Sequence, residues 1–129
     1  MAPMKRLTLL YAAPVILAMA SFAQCVMAMS ADGKAFVAQF REAAARPGSA
    51  ALADLAELPF LFEGRAHQRR AFIDKVVPAL FTPRVRQCLQ QARPQPEGAR
   101  FVLWCKPYAF YLGPVRGRWR LIEFGVDVE

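Results

Sequence analysis

One histidine in 129 residues leaves little metal or acid–base chemistry to look for. His67 has no second histidine and no cysteine near it, so it reads as a solvated loop residue and not as a metal ligand. Cysteine is nearly as scarce. A reactive thiol needs a base beside it, and neither Cys88 nor Cys105 has a neighbouring histidine. Acidic residues are few: 10 Asp+Glu stand against 17 Lys+Arg, for a net charge of +7, and none precedes Asp32. Internal repeats, low-complexity tracts and a second domain boundary are all missing. With no catalytic motif and nothing that asks for a metal or cofactor, the chain does not read as an enzyme.

What is present begins with a segment that resembles no folded element. Residues 1–30 have a basic start (Lys5, Arg6), an apolar run broken by Pro14, and then small residues, the layout of a secretory signal peptide. The run is short for a bilayer span, so membrane contact is expected only through this segment before cleavage. Cutting after Ala28 puts Val26 and Ala28 at the two small-residue places; cuts after Ala23 or Ser30 also fit. Cys25 follows Gln24, where lipoprotein processing wants a small residue, so it is expected to leave with the signal. Residues 1–28 are then a signal peptide and 29–129 a single domain, periplasmic or secreted. Loss of Lys5 and Arg6 lowers the net charge from +7 to +5. Small basic clusters remain at Arg69/Arg70, Arg84/Arg86 and Arg116/Arg118/Arg120. Outside the cell nucleic acid is an improbable partner, so this balance points to an envelope surface or an acidic protein.

Cleavage also leaves an even pair of cysteines, Cys88 and Cys105, in an oxidising compartment, and a disulfide between them is expected. A crosslink over so short a segment is worth about 3 kcal/mol in the loop-entropy account, a large share of a small domain's margin.

Helical spacing dominates the first two thirds of the domain. Over 32–45, Phe36, Val37, Phe40 and Ala44 share a stripe, with Asp32 as cap or first-turn acid and Pro47-Gly48 as the stop. Ser49 is placed to cap a second helix through Glu57, burying Leu52, Leu55 and Ala56. Residues 58–62 are apolar but too brief for a helix, and Pro59 suits an extended edge; 65–70 read as a surface loop. Phe72, Ile73, Val76, Val77 and Leu80 predict a core helix over 70–80, ended or kinked near 75–77 by Pro78. Thr82-Pro83 opens a last helix to about Ala92, with Val85, Cys88, Leu89 and Ala92 inward and Arg84, Arg86, Gln87, Gln90 and Gln91 wet. Residues 93–98 read as a loop.

Residues 100–124 hold both tryptophans and carry strand composition. They read as a hairpin: 100–112 outward with a bend at Lys106-Pro107, a turn over 113–117, and 118–124 returning. If Cys105 faces the helices, so do Phe101 and Leu103, and, with parity kept through the bend, Ala109 and Tyr111. Val102, Trp104, Tyr108, Phe110 and Leu112 then face away. On the returning strand Trp119 and Leu121 alternate with Arg118, Arg120, Ile122 and Phe124. A sheet apolar on both sides needs a second cover: the N-terminal segment, another copy, a partner or a ligand. Trp104, Tyr108, Arg118 and Arg120 are the candidate binding residues, the arginines stacking on the rings or taking carboxylates, although snorkelling outward is their commoner role. Glu123 either faces an apolar layer with a raised pKa or is salt-bridged at the rim.

The whole is α+β: N-terminal helices packed on a small curved antiparallel sheet formed mainly by the C-terminal hairpin. That layout, closing on a strand with Gly117, Trp119, Leu121 and Ile122, resembles the nuclear-transport-factor-like α+β cone superfamily, whose members often end on Gly-x-Trp-x-Leu/Ile. The resemblance implies that fold, and a range of roles covering enzymes, immunity proteins and binding or dimerisation modules. The Asp/His constellation of the enzymatic members has no counterpart here. The expected function is an exported protein-binding module, with an inhibitor or immunity protein as its type. A homodimerising envelope protein is the alternative, and a hydrolase-like enzyme using Glu123 or His67 as base comes third.

Overall fold

The computed structural model describes residues 29–48 and 50–127. The signal-like segment 1–28, its cleavage point and Cys25 lie outside the described residues, as does Ser49. The described chain is α+β, with helices leading into a C-terminal antiparallel sheet.

Helix α1 spans Ala31–Ala45 and buries Gly33, Phe36, Val37, Phe40, Ala43 and Ala44. Its cap is Ser30, not Asp32: the Ser30 hydroxyl accepts from the Gly33 N–H at 3.1 Å, leaving Asp32 as the first-turn acid that the helix dipole favours. Helix α2 is only Ala51–Leu55. The expected extension to Glu57 fails because the chain there is recruited by the sheet: Ala56 bridges Leu121, and the Glu57 N–H donates to the Leu121 carbonyl at 2.8 Å.

Strands β1 (Phe60–Phe62) and β2 (Arg65–His67) form a separate two-stranded hairpin, so half of the expected surface loop is strand. Glu63 and Gly64 both have left-handed φ, +52° and +74°, the backbone of the two-residue turn that matches strand twist. Helix α3 covers residues 69–80 and does not end before Pro78. Phe72–Val76 form a π-helical turn, in which the Val77 N–H bonds the Phe72 carbonyl, and the helix resumes over Val77–Leu80. The wider turn accommodates a proline that has no N–H to give and whose ring crowds the preceding turn. Helix α4, Pro83–Gln91, starts as expected, with the Thr82 hydroxyl accepting from Val85 N–H at 3.3 Å.

Four strands make the main sheet in the order β3-β4-β5-β6: Gln95–Glu97, Arg100–Cys105, Tyr108–Val115 and Arg118–Val126. Three departures from the expected hairpin fix what the sheet presents. Residues 95–97 are an edge strand pairing with β4, where Pro96 costs the ladder nothing. Lys106-Pro107 is a tight turn and not a bend: Cys105 lies directly opposite Tyr108, and Leu103 opposite Phe110. Opposed residues share a face, so Tyr108, Phe110 and Leu112 point at the helices and Ala109 and Tyr111 away, the reverse of the expectation. The second turn is only Arg116-Gly117, again with both φ positive, and Gly113–Val115 belong to β5.

A bulge sits at Ile122, since Glu123 opposes Tyr111 while Leu121 opposes Leu112. It turns Phe124 toward the helices and Glu123 away from them. The inner face therefore shows Phe101, Leu103, Cys105, Tyr108, Phe110, Leu112, Trp119, Leu121 and Phe124. Phe110 meets Phe40 and Phe81 at ring distances of 6.3 and 5.3 Å, and Phe124 packs among Phe60, Phe62 and Tyr108. Trp119 lies against α1, where a Cβ on Gly33 would stand 2.9 Å from the indole.

A covalent tie joins the helices to this layer, and polar ties join the helices to one another. Cys88 and Cys105 form a disulfide between α4 and β4, with Cα atoms 5.8 Å apart. Arginines on α1 and α4 cap each other's C-terminal ends. Arg41 donates to the Leu89 carbonyl (3.1 Å) and to Ala92, while Arg86 donates to Ala44 (2.7 Å), Arg46 and Phe81. Each satisfies carbonyls that a helix end leaves orphaned. Burial draws the Arg86 guanidinium below its usual pKa. Gln90 donates to the Arg41 carbonyl at 2.8 Å, so neither Arg86 nor Gln90 is merely wet.

Candidate functional site

The outer face of the main sheet is built from rows of opposed residues. One row runs Gln95, Val102, Tyr111, Glu123, and the next runs Trp104, Ala109, Gly125. The floor is small by necessity. A Cβ on Gly125 would be 3.4 Å from the Tyr111 ring, and one on Gly113 would be 2.9 Å from both Arg100 Cβ and Ile122 Cδ1. Tyr111 can lie flat over this floor, and Arg100 stacks on it with its guanidinium 4.1 Å from the ring centre. Arg100 also bridges two acids, Glu123 at 2.8 Å and Glu97 at 3.1 Å. The hydrogen bonds that Arg100 donates to Glu97 and then to Glu123 raise its pKa above the ordinary value. Glu123 is thus salt-bridged on open surface, the second of its two expected settings.

This lattice is the cover that the second face needs. It leaves one aromatic ring of the four strands open: Trp104, 38% exposed, standing over Ala109 and Gly125.

The four candidate binding residues are not brought together. Tyr108 is on the inner face, half-buried and edge-on to Phe110 and Phe124. Arg118 and Arg120 sit at the far end of β6, where with Trp119, Asp32, Gln39 and Asp54 they line an open groove of about 340 Å³ between α1, α2 and the last turn. There Arg120 is tied down, donating to the Asp54 carbonyl at 2.5 Å. Four residues of β5, about 13 Å, separate the position opposite Arg120 from the one opposite Trp104. Glu97, Arg100 and Tyr111 are the neighbours that sequence reasoning missed. The signal was alternation from Trp104, open for Arg100 on the same strand but obscured for Tyr111 by the turn at Lys106-Pro107.

His67 is on β2, half-buried, edge-on to Phe62 at 6.0 Å, with Nδ1 2.9 Å from the Arg65 carbonyl oxygen. It and Glu123 lie on different sheets. Among the described residues no three His, Cys, Asp or Glu side chains gather as a metal site, and no helix is long and apolar enough to cross a membrane. The disulfide points to an oxidising, non-cytoplasmic setting.

No protein-family model matches this chain, and neither does any curated protein or any solved structure.

Proposed function

We propose that this chain is a small exported binding module, periplasmic or secreted, that docks a partner protein on the outer face of its sheet with Trp104 as the anchor. The observation that carries this is the contrast within the sheet: every other aromatic residue of the four strands is buried or half-buried, and Trp104, 38% exposed, is the open one. An open indole beside a fixed Arg–Glu lattice supplies what protein interfaces concentrate, an apolar anchor inside an ordered polar rim. The disulfide supports export, and an inhibitor or immunity role suits a scaffold that offers a rigid surface. The order of helices and sheet, with the strand carrying Gly117, Trp119 and Leu121, supports a nuclear-transport-factor-like cone as the fold family.

Pull-down from an envelope extract tests the reading, with wild type, Trp104→Ala and Leu61→Ala compared; Leu61 is 64% exposed on the other sheet. A partner lost only with Trp104→Ala is the expected result. Identical partner lists for all three would overturn it. Sedimentation of the same proteins separates the homodimer reading, which requires a dimer that Trp104→Ala dissociates.

A further inference from the structure

The basic residues divide by what their side chains do. Arg41, Arg86 and Arg120 are spent on carbonyls, and Arg46, Arg69, Arg70, Arg100 and Arg116 on carboxylates. Among the described residues the side chains of Lys34, Arg65, Lys75, Arg84, Arg93, Lys106 and Arg118 make no hydrogen bond or ion pair, and of these Arg84, Arg93 and Lys106 are the ones around the disulfide. Arg84 and Lys106 line one corner, where the start of α4 and the β4–β5 turn meet, and Arg93 follows the far end of α4, beyond the disulfide. Residues 75–96 include four basic residues and no acidic one.

The corner has a shape as well as a charge. Arg84, Gln87, Cys88 and Gln91 follow helical spacing along the open side of α4 and line a groove of about 430 Å³ with Ala92. Arg84 also lines a second groove of about 320 Å³, with Lys106, Pro107 and Asp127. Asp127 is the acid there, its N–H bonded to the Pro107 carbonyl at 2.7 Å, and Arg84 and Lys106 outnumber it. The stripe from Arg84 to Gln91 is about 10 Å long, room for three extended residues.

We infer that this corner binds an acidic, extended segment of the partner protein. Arg84 and Lys106 take carboxylates at one end and Arg93 at the other. Gln87 and Gln91 suit a peptide, because each amide offers a donor and an acceptor at the spacing of a helix face that match a backbone C=O and N–H. The inference rests on the binding-module reading for the kind of partner but not on Trp104, which faces away on the sheet.

Fluorescence anisotropy of a labelled Asp/Glu-rich peptide, read at low and physiological salt, tests it. Arg84→Glu with Lys106→Glu should weaken binding about tenfold or more, and Lys34→Glu with Arg65→Glu, the same change of charge elsewhere, no more than about twofold. Trp104→Ala should bind the peptide as wild type does. Equal losses in the two charge-reversed pairs would reduce the effect to net charge and overturn the inference, as would no peptide binding at low salt. So would a sulfated polysaccharide that outlasts the peptide at physiological salt. If pull-down partners ignore Trp104 while the peptide result holds, only the Trp104 reading falls.

Discussion

The two faces of the four-stranded sheet are made from alternate residues of the same strands, yet they solve opposite problems. The inner face is aromatic and closed: Phe110, Phe124 and Trp119 meet Phe40, Phe81, Phe60 and Phe36 from the helices and the β1–β2 hairpin. Among the described residues no layer lies above the outer face. Small residues at Ala109, Gly113 and Gly125 let Tyr111, Ile122 and Arg100 lie down, and two carboxylates pin the arginine in place. Stability sits on one face, and the open indole sits on the other, where its loss disturbs little.

Adjacent substitutions on β5 should expose that asymmetry most sharply. Phe110→Ala, in the centre of the closed face, should cost about 3–5 kcal/mol in urea unfolding. Tyr111→Ala, one residue along and on the open face, should cost about 1 kcal/mol; equal costs would erase the distinction. Next comes the tie between helices and sheet. Cys88→Ser with Cys105→Ser should lose about 3 kcal/mol, and wild type under reductant should match the double variant.

Arg86 and Arg84 lie two residues apart on α4 and extend the contrast to the helical layer. Arg86→Ala strips carbonyls at the end of α1 of their donor and should cost about 2 kcal/mol, against less than about 0.5 kcal/mol for Arg84→Ala. A smaller effect is expected at Gly33→Ala. Alanine in a helix normally gains up to about 1 kcal/mol over glycine. Here the added methyl would press on Trp119 and Met29, so thermal unfolding should show a net loss of about 1 kcal/mol.

Much of the closed side was legible in the sequence. The stripes of Phe36/Val37/Phe40/Ala44 and Val85/Leu89 each name a helix and its inward face, Thr82-Pro83 marks a start, and the even pair of cysteines gave the disulfide. Strand parity was not legible, because it depends on which residues oppose each other. A bend and a two-residue turn at Lys106-Pro107 use the same local composition but send Phe110 to opposite faces. The bulge at Ile122 likewise follows from long-range pairing with β5, and it moved Glu123 from an apolar layer to the Arg100 lattice. Arg41 and Arg86 escaped notice because their acceptors lie about forty to fifty residues away in the chain. The one hint was Arg86 beside Val85, at the edge of the buried stripe. The candidate site suffered most: Trp104 kept its place, Tyr108 changed face, and Arg118 and Arg120 proved to be a separate groove.

The outer face as a docking surface is tested most directly by replacing Trp104 with a photoreactive phenylalanine analogue and irradiating cells that express the full chain. The account predicts a discrete adduct with another polypeptide from position 104, and none from the same analogue placed at Leu61. No adduct from position 104, or the same adduct from both positions, would contradict it.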